Sequence, residues 1–506
     1  MGNMKATMDK PEKSESEWLK QRLEKANELK ERGVDLFPHR WERTHSAADA
    51  AKLTAGIEAT ERTEHSVRVA GRLVQRREMG KASFAHILDG DTKIQLYFKK
   101  DILGPDVYRV FRKDLYLGDY IGVAGIMFKT RTGETTIEVT ELTLLAKALR
   151  PPPEKFHGLK DVDTRFRKRH LDLIANPDAR EVFKKRSKII SSVRKTLEGM
   201  DFLEVETPIL LQQAGGASAR PFETHHNALD QNMCLRIATE LPLKKLVIGG
   251  LNRVYEIGRI FRNEGIDTRH NPEFTTLEAY QAYTDYHGMA ELFEQTLANA
   301  AEAIGVTEVE YRGKKLSLKP PYPRLYLPEL WKECVGGDIH DVLAGKGFNR
   351  AGLETAAKKH NISFGPTTPD AKVFDRIIDD VILAKHPEPM FLLDHPTAIT
   401  PLAKLKPGDE SLVERFEFFV GGDELANAYT ELNDPLDQRS RFEEQAKQKQ
   451  AGNDEAELLD SEFVEAMEHG MPPMGGIGIG IDRLVMVLTG TDSIREVILF
   501  PTLKQE

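Results

Sequence analysis

"RIFRNEGIDTRHNPEF", residues 259–274, gathers Arg259, Arg262, Arg269 and His270 around Glu264 and Glu273, between two stretches that read as ordinary strands. Charges are rarely left in a sheet unless they pair or meet a ligand. Upstream, a period of two puts Glu256, Gly258, Ile260, Arg262 and Glu264 on one side; downstream it puts Phe274, Thr276, Glu278 and Tyr280 on one side. If the two runs form an antiparallel hairpin, one face carries Arg262, Glu264, Phe274, Glu278 and Tyr280 together. Such a face is a polar floor for an anionic and a cationic group at once.

Two further stretches extend this pattern. In "DELANAYTELND", residues 423–434, Asn427, Tyr429 and Glu431 share a face, and "ERFEFFVGGDE" before it supplies Glu417 and Glu424. "GGIGIGIDRLVMVLTG", residues 475–490, reads as a small-residue strand entering an apolar helix near Asp482, with Arg483 where the helix begins. Its glycines admit a flat ligand or a neighbouring backbone equally well. A helix start beside an arginine suits phosphate. The strand patterns favour an antiparallel catalytic sheet over a parallel one, since no glycine-rich phosphate loop ending in Gly-Lys-Ser/Thr follows an early strand.

The 506 residues suffice for about three domain-sized units. Mixed helical and strand patterns, 30% charged residues, 40% hydrophobic residues and a net charge of −9 predict a globular α+β protein. The two cysteines, Cys234 and Cys334, offer neither a disulfide framework nor metal-ligand spacing. The first residues lack the apolar segment of a signal peptide, and no run of about 18 apolar residues occurs. A cytoplasmic protein with no membrane partner is expected. Residues 147–198 carry 15 Lys/Arg against 7 Asp/Glu, which fits either a footprint for a polyanion or a solvated linker and helix surface.

Residues 14–33 predict a helix with Leu19, Leu23, Ala26 and Leu29 on one stripe and a stop at Gly33. Five strand-like runs between about 65 and 145, separated by Gly and Asp-Gly turns, suit a small closed barrel of the oligonucleotide-binding (OB) type. There Arg72, Arg76, Arg77 and Lys81 adjoin Phe84, His86 and Gln95, a set that could attract a nucleic-acid backbone and stack a base. Phe84 can equally be a core residue. "LRPPPEKFHG", residues 149–158, is a stiff connector. Beyond it, Val182, Ile189, Ile190, Val193 and Leu197 mark a helix that ends at Gly199 and leads to a strand and Pro208, and segments around 328–360 and 370–386 read as helical insertions. The expected domains are a helical extension 1–64, an OB-type barrel 65–148, a linker 149–170, and a catalytic domain 171–506 with a helical insertion around 330–388.

These residues have a common chemistry. Arg262 and Arg483 can brace a polyphosphate, Glu417 and Glu424 can hold Mg²⁺ against it, and Phe274 can cover a base. Glu240, Glu278 and Glu431 are left as carboxylates without a phosphate role and fit a substrate that bears amino groups. A carboxylate of that substrate can attack an α-phosphate, so the protein needs alignment and charge stabilisation rather than a nucleophile of its own.

The chain resembles the class II (subclass b) lysyl-tRNA synthetases of bacterial type. The resemblance rests on "FLEVETPIL" as motif 1, "FRNEG" through "RHNPEF" as motif 2 and "GIGIGIDR" as motif 3, and more specifically on "GGASARPFETHHNALD" (215–230) and "ELNDPLDQRSRFEEQ" (431–445). It extends from the N-terminal helix to "VILFPTL". It implies ATP as substrate, up to three Mg²⁺ per subunit, L-lysine and tRNA(Lys) as partners, and a homodimer built on motif 1. In the family pattern Arg262 contacts the α-phosphate and the lysine carboxylate, Glu264 faces the adenosine, His270 and Asn271 lie near the nucleotide, Phe274 stacks on adenine, and Arg483 lies at the γ-phosphate. Glu417 and Glu424 become metal and ATP ligands. Gly216 and Glu278 receive the α-amino group; Glu240, Tyr280 and Glu431 surround the ε-ammonium; Asn427 and Tyr429 line the pocket. In the barrel, Phe84 and Gln95 meet the central anticodon uridine, with Arg72, Arg77 and Lys81 along the backbone. The sequence departs from the family pattern in "DHPTAITPLA", where Ala398 and Thr400 replace an acid and a serine. The same motifs are shared with aspartyl and asparaginyl enzymes of the subclass, and a non-catalytic RNA-binding descendant would keep the fold. Glu240 and Glu431 argue against the first, and the retained Arg262, Arg483, Glu417 and Glu424 against the second.

Overall fold

The computed structural model describes residues 15–80, 82–153, 159–217, 219–450 and 459–504. The chain divides between Pro177 and Asp178 into two compact units. In the first, β1 (Arg62–Met79), β2 (Ala82–Asp89), β3 (Thr92–Lys99), β4 (Tyr120–Lys129) and β5 (Thr135–Ala146) close into a barrel of order β1-β2-β3-β5-β4. Period-two alternation sends Val67, Val69 and Leu73 of β1, Ala85 and Ile87 of β2, and Ile94, Leu96 and Phe98 of β3 into its core. Helix α1 (Glu15–Glu31) joins that core, but not through the expected stripe. Ala26 and Leu29 are buried, Leu23 is exposed, and the buried position a turn before Ala26 is Arg22. Arg22 donates to the carbonyls of Leu117, Ala148 and Arg150 at 2.8–3.2 Å. Its aliphatic stem extends the i, i+4, i+7 stripe while its head satisfies backbone oxygens.

The second unit is built on a nine-stranded sheet. Its strands are β6 (Leu203–Glu204), β7 (Arg253–Phe261), β8 (Glu273–Ala282), β9 (Arg324–Tyr326), β10 (Met390–Pro396), β11 (Leu405–Lys406), β12 (Asp409–Val420), β13 (Asp423–Thr430) and β14 (Met474–Gly480). The order is β9-β10-β12-β13-β14-β8-β7-β6, with β11 paired to β12. From β10 to β7 every pair is antiparallel. The remaining helices used below are α2 (Pro177–Glu198), α3 (Glu240–Ile248), α4 (Tyr286–Ala303), α5 (Ser461–Glu468) and α6 (Ile481–Thr489).

One face of this sheet is apolar. Leu277 and Ala279, Phe416 and Phe418, Ala426 and Ala428, and Ile477 and Ile479 pack with Ile189, Val193 and Leu197 of α2, Met289 and Phe293 of α4, and Leu484 and Val485 of α6. The alternate residues of the same strands are therefore left on the opposite face, and they are the polar ones. Residues 327–383 form a helical layer whose core, around Trp331, Phe374 and Ile382, also takes in Met390 and Leu392 of β10 and Leu412 and Phe419 of β12. Leu241, Leu243 and Val247 of α3 pack with Phe463, Val464 and Met467 of α5 in another core, which also takes in Tyr280.

Candidate active site

Strand register assembles the polar face in rows. One row runs Glu417, Asn427, Gly478, Glu278, Glu256 across β12, β13, β14, β8 and β7, and the next runs Arg415, Tyr429, Gly476, Tyr280, Val254. Over them lies a cavity of about 500 Å³ whose lining includes Gly216, Glu240, Arg262, Glu264, His270, Asn271, Phe274, Glu278, Tyr280, Glu424, Asn427, Tyr429, Glu431 and Arg483. Glu417 stands beside this lining rather than in it. The glycines of β14 do not act alike. A Cβ at Gly476 would come within 2.1 Å of Glu431 Oε1 and 2.3 Å of Tyr280, whereas one at Gly475 would strike Asp285 and Met289 on the helical side.

At one end three carboxylates are buried together: Glu240, Glu278 and Glu431. Glu278 accepts from the Thr239 amide and the Tyr280 hydroxyl, both at 3.1 Å. Burial, and next the charge of Glu240, push its carboxyl up to about 7. Gly216, at φ +83°, faces the Cβ of Glu240 so closely that a side chain there would be 3.1 Å from it. Asn427 donates to the Tyr429 hydroxyl at 2.9 Å. Lys244, one turn after Glu240 on α3, donates to Glu240 Oε1 at 2.5 Å, and its ammonium lies 2.5 Å from Glu431 Oε2. Burial opposes the charge of Lys244, but Glu240 and Glu431 outweigh it and hold the ammonium above the usual lysine range. Both oxygens of Glu431 are buried without a hydrogen-bond partner among the described residues; Oε2 is ion-paired with Lys244, and Oε1 has no such pair. An orphaned anionic oxygen of this kind is costly unless a ligand supplies the donor.

At the other end cations dominate. Arg262 follows β7 directly, its guanidinium 5.3 Å from the centre of the Phe274 ring and its Nε 3.4 Å from the Ile237 carbonyl. Arg483 donates to the Glu424 carbonyl at 2.9 Å and lies 3.5 Å from its carboxylate. Burial, then the charge of Glu417, raise the Glu424 carboxyl. Among the described residues no three His, Cys, Asp or Glu side chains gather to hold a metal by themselves. Two hard carboxylates, one of them electrostatically short of a cation, fit a magnesium ion whose other ligands come from phosphate and water. The loop after β7 is held locally. Asp267 accepts from the amides of Arg269 and His270 and pairs with the His270 ring at 2.8 Å. Asn271 is committed to the Glu273 carbonyl and the Thr502 amide, and Glu264 is exposed.

Several of the residues that hold this site were not singled out from the sequence. Arg415 is buried beside Glu417, donating to Thr400 Oγ1 at 2.7 Å, to Asn427 Oδ1 at 3.1 Å and to Glu417. It shares the period-two face of Glu417 and was readable on that ground. Thr400, the departure from the family serine, keeps a hydroxyl as the acceptor for Arg415. Lys244 was readable from its i, i+4 spacing to Glu240. Arg186 of α2 was not, because only tertiary packing brings it 2.5 Å from Asp482, whose other oxygen accepts the Thr275 amide.

The barrel presents a second polar face. Phe84 lies on the outer side of β2, outside the barrel core, with its ring 4.8 Å from that of Tyr97 at 28°; Phe128 continues the cluster. Beside them, Gln95 donates to Glu134 at 2.6 Å and accepts from Thr136, and His86 meets the other oxygen of Glu134. Arg77 is exposed opposite Phe84 in the β1–β2 register. Arg72 sits 4.6 Å over Tyr120, and Arg76 is spent on the carbonyls of Phe111, Arg112 and Leu115. Lys81 lies outside the described residues. Part of the basic excess in residues 147–198 is internal: Lys147 pairs with Asp119 at 2.7 Å, and Arg165 and Arg169 with Asp172.

Comparison with known proteins agrees with both units. The family described as tRNA synthetases class II (D, K and N) matches residues 161–504, and the OB-fold nucleic acid binding domain matches residues 67–145. A lysine–tRNA ligase of Pediococcus pentosaceus is 48% identical over 502 residues, spanning 98% of this chain and 99% of its own. Those of Moorella thermoacetica and Bacillus subtilis are 49% and 48% identical over 492 and 493 residues, spanning 97% and 96% of this chain and 98% and 97% of their own.

Proposed function

The chain belongs to the lysine–tRNA ligases of the class II tRNA synthetases, ATP-dependent ligases with an OB-fold domain and an α+β catalytic domain, and from that premise we propose how its residues share the reaction. Glu278 and the backbone at Gly216 receive the α-ammonium of lysine. Glu240, Tyr280 and Glu431 receive the ε-ammonium, with Asn427 and Tyr429 as walls. Arg262 orients the lysine carboxylate against the α-phosphate, Phe274 covers the adenine, and Glu264, His270 and Asn271 border the nucleotide. The carboxylate oxygen attacks the α-phosphorus, pyrophosphate leaves, and Arg262 and Arg483 take up the charge that develops on the phosphate oxygens. Magnesium, held by Glu417 and Glu424, would supply further charge neutralisation on the phosphates. A ribose hydroxyl of the terminal tRNA adenosine then attacks the lysyl carbonyl and releases AMP.

The observation that carries the amino-acid assignment is the unpartnered Glu431 Oε1 inside a pocket of three buried carboxylates. An aspartate side chain would meet like charge there, and a neutral asparagine amide would leave the buried acids without a counter-cation. ATP–pyrophosphate exchange with each of the twenty amino acids tests it: lysine alone should support exchange, and exchange driven by aspartate or asparagine in its place would reject the assignment.

The remaining assignments follow the same premise. Residues 65–148 would bind the anticodon through Phe84, Gln95, Arg72, Arg77 and Lys81, and residues 171–506 would carry the chemistry, with 1–64 an extension and 149–170 a linker. Leu203, Ile209 and Leu210 after α2 are large apolar side chains left exposed, which supports a homodimer through this segment. A sedimentation mass equal to the 57.0 kDa of one chain in an active preparation would reject the dimer. No helix among the described residues is long and apolar enough to cross a membrane, and the substrates of the proposed reaction support a cytoplasmic location.

A further inference from the structure

Lys244 has no role in the reaction described above, yet it is one of the most completely buried cations in the chain. Its ammonium sits between the two carboxylates assigned to the substrate side chain, 2.5 Å from Glu240 Oε1 and 2.5 Å from Glu431 Oε2. The rings of Tyr280 and Phe463 are each 5.9 Å away, so little solvent can screen the group. Neither oxygen of Glu431 accepts a hydrogen bond among the described residues; Oε2 has its ion pair with Lys244, while Oε1 has neither and lies toward Gly476 and Tyr280 in the cavity.

We propose that Lys244 is a resident counter-cation that sets the charge of the amino-acid pocket, so that Glu240 and Glu431 together present one net negative charge to the substrate ammonium. This rests on the reading that the pocket takes the lysine side chain. Two bare carboxylates side by side in a dry site would repel each other and capture a proton or a divalent ion. One ammonium shared between them offsets that repulsion and fixes their rotamers, while burial still pushes the Glu431 carboxyl up to about 8 against the pull of Lys244, so that a substrate ammonium at Oε1 completes its ionisation. What remains is a single charge at Glu431 Oε1, matched to one monovalent cation. Lys244 is therefore a positioning residue for specificity: it does not touch the substrate, but it determines what Glu240 and Glu431 can bind.

Charge counting makes the proposal testable. The end of the parent pocket assigned to the side-chain ammonium holds two carboxylates, Glu240 and Glu431, and one ammonium, with Glu278 at the α-amino end unchanged throughout. Glu240→Gln leaves one of each, a neutral pair of Lys244 and Glu431. The double variant Glu240→Gln, Lys244→Met leaves Glu431 alone and restores the single negative charge. In ATP–pyrophosphate exchange, Glu240→Gln should raise the lysine KM by about a hundredfold with the ATP KM near the parent value. Adding Lys244→Met should recover at least about tenfold of that loss. A purely structural role for Lys244 predicts the reverse, with the double variant as weak as Glu240→Gln or weaker. That result, with the ATP KM preserved, would overturn the proposal. An unchanged lysine KM in Glu240→Gln would instead overturn the pocket reading, and the proposal with it. If the methionine-bearing chain does not fold, Glu240→Gln with Lys244→Gln makes the same change of charge with a pair that can hydrogen-bond, and the same two outcomes decide.

Discussion

Glu278 is held close to neutrality by its surroundings, and this gives the site a pH dependence with a definite sign. Its carboxyl is pushed up to about 7, first by burial and then by Glu240. An α-ammonium needs the ionised form, so kcat/KM for lysine should climb with pH, by up to about tenfold per unit below 7 for this group, with any rise between 7 and 8 belonging to Glu431, which burial pushes up to about 8 against the pull of Lys244. Glu278→Gln should lose that limb along with most of the activity; a parent profile flat between about pH 5.5 and 8 would contradict the assignment. The same raised value means that the native state binds a proton more readily here than the unfolded chain does. This group's contribution to stability therefore falls as pH rises from the ordinary carboxylate range through 7. Glu278 and its two companions were legible in the sequence because they are carboxylates on strand and helix positions with no phosphate to serve. Arg415 and Lys244 were passed over because each neutralises a neighbouring acid, and a pattern of alternation says which face a residue occupies without saying what it pairs with.

Strand β14 shows how one element serves two surfaces. Gly476 faces the pocket and Gly475 faces α4, so two alanine substitutions one residue apart should separate function from stability. Gly476→Ala would bring a methyl group against Glu431 and Tyr280 and should raise the lysine KM by about tenfold or more, because the pocket carboxylate must move. Gly475→Ala would press on the Asp285 carbonyl and Met289, lowering stability by about 1–3 kcal/mol with the lysine KM retained. Equal effects of the two on both readouts would show that the strand does not divide the site from the core in this way. Alternation made the strand visible in the sequence, but it did not reveal which glycine served which side; that depends on α4, which only the tertiary fold brings against Gly475. The N-terminal helix shows the same limit from the other direction. A stripe read from apolar residues alone omitted Arg22 and included Leu23, since a long side chain with a buried stem counts as polar in the sequence and as core in the fold.

For the molecule as a whole, the class of fold was legible because several independent polar strand patterns, a five-strand barrel pattern and the family motifs all pointed the same way. The helical layer at 327–383 and the tie from Arg186 to Asp482 depend on contacts between residues far apart in sequence and left weaker traces. Division of labour between the two units predicts that they fail separately. Phe84→Ala should reduce tRNA charging by about one to two powers of ten, the worth of one stacked base, and leave lysyl-adenylate formation nearly intact. Parallel loss of both reactions would mean that the substitution damages folding, and unchanged charging would mean that the Phe84–Tyr97 face does not read a base. The central claim, that a buried acidic pocket selects lysine by its side-chain ammonium, is tested most directly by the lysine KM of Glu431→Gln in ATP–pyrophosphate exchange. The account predicts a rise of about two powers of ten with the ATP KM and the fold preserved; a lysine KM equal to the parent's would contradict it.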